Sequence, residues 1–61
     1  MNDNTEIFYY QEILEETGEA TLFQIDGADQ DIWIPDSQII ALDENALTCE
    51  IPRWLYEKHF L

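Results

Sequence analysis

The chain has 61 residues, 14 acidic and 2 basic, giving a net charge of −12 at neutral pH and a pI near 4.1. That length sustains one domain, 1–61, and a content of 46% hydrophobic and 13% aromatic residues excludes a disordered acidic tail, which would be poor in both. A surface with about one uncompensated negative charge per five residues repels nucleic acid and anionic membranes and attracts basic proteins.

Residues 1–5 read as a flexible polar lead-in. Met1-Asn2-Asp3-Asn4 lacks a basic region and no apolar stretch follows, so no signal peptide is expected. No apolar run approaches the roughly 20 residues that span a bilayer. Cys49 is the only cysteine and has no partner for an internal disulfide, which suits the cytosol.

Glu6 to Glu15 carries two readings. Ile7, Tyr10 and Leu14 fall at helical spacing, whereas Phe8-Tyr9-Tyr10 favours a strand that Thr17-Gly18 turns into the next segment. The strand is the reading taken, with apolar groups on both faces. Ala20 to Ile25 predicts a second strand, and Asp26-Gly27 opens a turn that runs through Gln30. Asp31 to Ile34 returns as a strand ended by Pro35. Ser37 is placed to cap a short helical turn over Gln38 to Leu42, and Asp43-Glu44-Asn45 forms a loop. Leu47, Cys49 and Ile51 alternate with Thr48 and Glu50, the pattern of a half-buried strand with Cys49 facing inward. Pro52 suits the first position of a terminal helix to Phe60, with Trp54, Leu55 and Leu61 available to cover the sheet. Lys58 and His59 fall in its last turn, where cations suit the helix dipole. The expected fold class is α+β: a small antiparallel sheet or partly closed barrel of three to four strands with a short C-terminal helix. Trp33 and Trp54 are expected in the core. Tyr9, Tyr10 and Tyr56 become interface anchors wherever they are left exposed.

The segments Trp33-Ile34-Pro35-Asp36-Ser37-Gln38-Ile39 and Ile51-Pro52-Arg53-Trp54-Leu55, together with Ala20-Thr21-Leu22, resemble a group of very short phage and prophage proteins. Those proteins carry a strand-ending W-I-P-x-S-Q-I and a terminal I-P-x-W-L helix, and the likeness covers about 35 residues of this chain. The group usually has a basic residue before the serine, where this chain has Asp36. The resemblance implies the fold and an origin in a mobile element. By charge and context, small acidic phage proteins are similar in character to DNA mimics and anti-CRISPR inhibitors.

Ten of the 14 carboxylates fall in three clusters: Glu12, Glu15, Glu16 and Glu19; Asp26, Asp29, Asp31 and Asp36; and Asp43 with Glu44. Duplex DNA carries a negative charge every ~1.7 Å along its axis, and its binders meet it with basic grooves. Carboxylates at comparable surface density can occupy such a groove. The expected function is therefore a non-catalytic protein that blocks a basic nucleic-acid-binding surface of a protein or nucleoprotein complex, without binding nucleic acid itself. A small accessory or structural interaction module, acidic for solubility or salt tolerance, is the alternative.

The segment Asp26-Gly27-Ala28-Asp29-Gln30-Asp31 offers oxygen ligands but departs from the calcium-loop pattern in its glycine position and lacks the terminal bidentate Glu. A turn accounts for it better. One Cys and one His make no tetrahedral metal set. Ser37, His59 and the carboxylates lack a nucleophile elbow, and so short a chain has little mass to enclose a substrate. No enzyme activity, cofactor or metal is expected.

Overall fold

A bend at Tyr10 and Gln11 organises the whole chain. The computed structural model describes residues 4–25 and 31–61. Among these, strand β1 (Thr5–Tyr9) and strand β2 (Glu12–Glu16) flank the bend, followed by β3 (Ala20–Gln24) and β4 (Ile32–Pro35). A 3-10 turn (Asp36–Gln38) leads to β5 (Ala41–Asp43), β6 (Thr48–Pro52) and helix α1 (Arg53–Phe60). Sheet I has the order β1-β6-β5 and sheet II the order β2-β3-β4, both antiparallel. The bend ties the two together: the Tyr10 N–H bonds the Leu47 carbonyl at 3.0 Å and the Gln11 N–H bonds the Gln24 carbonyl at 2.7 Å. The fold is α+β with no closed barrel.

Alternation explains the core. Phe8 and Tyr10 point inward from the β1 end, Phe23 from β3, Ile32 and Ile34 from β4, Cys49 and Ile51 from β6 and Leu55 from α1. Aromatic rings form its centre, with Phe8 edge-on to Phe23 at 5.2 Å and Phe60 closing over Phe8 at 5.3 Å. Burying such side chains stabilises by about 1.5–3 kcal/mol each, the main force available to so small a domain.

The turns follow local chemistry. Gly18, at φ +92°, takes the first place of the tight β2–β3 connection, a backbone conformation that side chains resist. The Thr17 hydroxyl accepts the N–H groups of Glu19 and Ala20 and so fixes the turn. Pro52 precedes α1 without an N–H to leave unpaired, and the Arg53 N–H reaches back to the Asn4 carbonyl at 2.7 Å.

Five expectations are corrected. The stretch from Glu6 to Glu15 is extended but forms two strands, because its halves pair with different partners. Ser37 lies inside the 3-10 turn and caps nothing; the turn ends at Gln38, where Ile39 returns to extended backbone, and Ala41–Asp43 is strand. Leu47 stands in left-handed backbone at φ +59°, closing the β5–β6 turn, and is not the inward residue of a strand. Trp33 is 42% exposed, because Ile32 and Ile34 claim the inward side of β4 and turn it outward. Trp54 is 59% exposed, since Leu55, Tyr56 and Phe60 are the α1 residues that meet the core, and Leu61 lies past the helix in solvent.

Candidate functional site: the outer face of sheet II

The face of sheet II turned away from the core gathers acid around an apolar centre. Pairing sets Glu15 opposite Leu22 and Leu22 opposite Trp33, a row of three side chains across the sheet. Glu12 stands opposite Gln24 one row along. Neighbouring strands are about 4.8 Å apart, so roughly 10 Å separates the Glu15 and Trp33 backbones.

Glu12 and Glu15 share this face only because of a bulge. Three residues apart, they would point to opposite sides of a regular strand. The register shifts between Ile13 and Glu15, so that Leu14 and Glu15 together oppose Leu22. Leu22 and Gln24 are two apart on β3 and share a side, which brings both glutamates to it as well. Leu14 is left exposed beside them. Asp31, exposed, directly precedes β4 and stands two residues before Trp33. The centre is thus Leu14, Leu22 and Trp33, and the rim is Glu12, Glu15 and Asp31.

The remaining acidic residues divide by role. Glu16 pairs with Thr21 in the inward-facing row and is exposed at the sheet margin, and Glu19 lies in the turn. Asp36 is engaged within the fold: the buried Thr21 hydroxyl donates to its carboxylate at 2.8 Å. Asp43 accepts the N–H groups of Asn45 and Ala46 at 3.0 Å each, holding the β5–β6 turn, with Glu44 exposed in that turn on the other sheet. Asp26 and Asp29 lie outside the described residues, as does all of the calcium-like segment except Asp31. Among the described residues, the structure brings Glu12 and Glu15 of the first cluster to one face with Asp31 of the second, and keeps Asp43 and Glu44 together at the β5–β6 turn.

Along the sequence, residues 12–36 hold eight of the 14 carboxylates and neither of the 2 basic residues, Arg53 and Lys58. Both cations ride on α1, where Arg53 pairs with Glu6 at 3.1 Å. Among the described residues the charge is lopsided, with six carboxylates and no cation on sheet II and its adjoining turns. Sheet I also exposes apolar groups, Ile7 and Tyr9 on its outer side, but its nearby carboxylates are occupied: Glu50 accepts the Thr5 hydroxyl at 2.7 Å. Tyr10 is buried and Tyr56 packs against the core, so Tyr9 alone of the three tyrosines is a well-exposed side chain.

Burial favours the protonated forms of Cys49 and Tyr10. Burial pushes the Cys49 thiol up to about 11. Burial, then the charges of Glu44, Cys49 and Asp43, raises the Tyr10 phenol above its usual range. His59 is held below its usual range by burial and by Lys58 beside it. Among the described residues no group of three or more His, Cys, Asp or Glu could hold a metal ion, and no helix is long and apolar enough to cross a membrane.

Trp33, Leu22 and Leu14 were missed as surface residues in the sequence. Trp33 had a usable signal: in Ile-Trp-Ile on an edge strand with one covered face, the two isoleucines and the tryptophan must take opposite sides. The bulge at Leu14 had none. Comparison with protein-family models, curated proteins and solved structures finds no match to this chain.

Proposed function

We propose that this chain is a non-catalytic cytosolic inhibitor that binds a basic, nucleic-acid-binding surface of a protein or nucleoprotein complex and blocks it by charge mimicry. The observation that carries this reading is the outer face of sheet II, where an exposed tryptophan and two leucines sit inside a rim of carboxylates unrelieved by any cation on the same elements. Apolar centres with polar rims are the anatomy of protein interfaces, and the rim charge steers association. An origin in a phage or prophage and an anti-CRISPR or anti-restriction target are the sharpest form of the proposal. They rest on the W-I-P-x-S-Q-I and I-P-x-W-L segments and on the charge.

The test is competition. The chain is titrated into complexes of labelled duplex DNA with CRISPR effectors and restriction enzymes at several salt concentrations. It should displace DNA from its target while binding no DNA itself, with potency falling as salt rises. Failure to displace nucleic acid from any such protein would favour the accessory module whose acidity serves solubility or salt tolerance.

A further inference from the structure

We infer that the outer face of sheet II is an arginine-reading surface, with Trp33 as the platform for a guanidinium of the partner. This rests on the proposed binding of a basic surface and deepens it, since it selects between the two basic side chains.

Trp33 presents a partly exposed indole on an edge strand, and among the described residues no other aromatic ring packs on it. Leu22 supports it from the central strand, and Glu15 lies in the same row beyond Leu22. Asp31 stands two residues before it, exposed. A cation approaching this face meets an indole and carboxylates together. Arginine exploits both: its planar guanidinium stacks on the ring while its N–H edge remains free to pair with carboxylate oxygens. A lysine ammonium is compact and strongly hydrated, and gains chiefly from the charge. The apolar surface of Leu14 and Leu22 further favours the more weakly hydrated ion. Carboxylates attract both cations through charge, and the exposed tryptophan adds the stacking surface on which arginine gains more than lysine.

The experiment uses the full chain and two probes of equal length and charge: a peptide of alternating arginine and glycine, and its lysine counterpart. Calorimetry should show the arginine peptide binding roughly two- to fivefold more tightly, the range of one exposed cation–π contact. Trp33→Leu should abolish that preference while leaving the salt-dependent attraction to both peptides, and Trp33→Tyr should keep most of it. In a Trp54→Phe background, indole emission reports Trp33 alone and should respond more strongly to the arginine peptide. Equal affinities in the parent, or a preference that survives Trp33→Leu, would overturn the arginine reading while leaving charge mimicry intact. Binding of neither peptide would overturn both.

Discussion

Tyr10 buries a hydroxyl that finds no hydrogen-bond partner among the described residues. A buried donor without a partner carries its desolvation penalty uncompensated. Tyr10→Phe keeps the ring against Phe23 and removes only that atom. It should raise stability by about 1 kcal/mol in urea unfolding, and a loss of that size would mean the hydroxyl is bonded after all. The two tryptophans and Phe23 form a matched contrast. Phe23→Ala empties a fully buried site and should cost about 3–5 kcal/mol, close to the stability expected of so small a domain. Trp33→Ala and Trp54→Ala remove half-exposed rings and should leave a cooperative thermal transition. Cys49 gives the fold an alkaline limit. Its thiol moves from 9.0 to about 11 on burial, so the unfolded chain releases this proton first as pH rises. Stability from this group is therefore intact below about pH 9 and declines toward pH 11, by roughly 2–3 kcal/mol. Denaturant melts across that window should show a shallower decline for Cys49→Ala.

Among the elements, the 3-10 turn depends on the Thr21–Asp36 hydrogen bond and on the Asp36 N–H bonded to the Glu19 carbonyl at 2.8 Å. Hydrogen bonds to charged groups contribute about 1.5–3 kcal/mol. Asp36→Ala should therefore destabilise by about that much, whereas Asp31→Ala on the exposed rim should be near neutral. Equal effects in urea melts would place Asp36 back among the free surface charges. The strands show what the sequence made legible. Cys49 and Ile51 alternate against a single covered face, and β6 was readable from them. Thr17-Gly18 encoded its turn, whereas Pro52, expected as the first helical residue, ends β6 in extended backbone and α1 begins at Arg53. The bend at Tyr10–Gln11 carries no glycine or proline, so β1 and β2 read as one strand. The bulge at Leu14 follows from β3 pairing and leaves no local mark, so the shared face of Glu12 and Glu15 was hidden although both residues were named. Trp33 and Trp54 were read by hydrophobicity, which does not say which side of a strand or helix the core will cover.

On the scale of the whole molecule, the radius of gyration is 10.9 Å, comparable to a Debye length near 0.1 M salt. Twelve net negative charges within that span repel one another across the entire fold. Added monovalent salt should therefore raise the melting temperature between about 10 and 300 mM, as the screening length shrinks from about 30 Å to below 8 Å. A flat or falling curve would mean that local pairs such as Glu6–Arg53 already compensate the field. Under the proposed function, the same field that burdens folding is what would draw a basic partner toward sheet II.

Position, rather than total charge, is the central claim, and two variants with the same charge change test it. One neutralises the rim as Glu12→Gln, Glu15→Gln and Asp31→Asn. The other neutralises Glu16→Gln, Glu19→Gln and Glu44→Gln, which lie off that face or on the other sheet. The decisive measurement is the association rate and nucleic-acid competition of each variant with the target identified by displacement. The rim variant should associate more slowly by tenfold or more and lose competition, while the other stays close to the parent. Equal losses in both variants, or none in the rim variant, would contradict a binding face on sheet II.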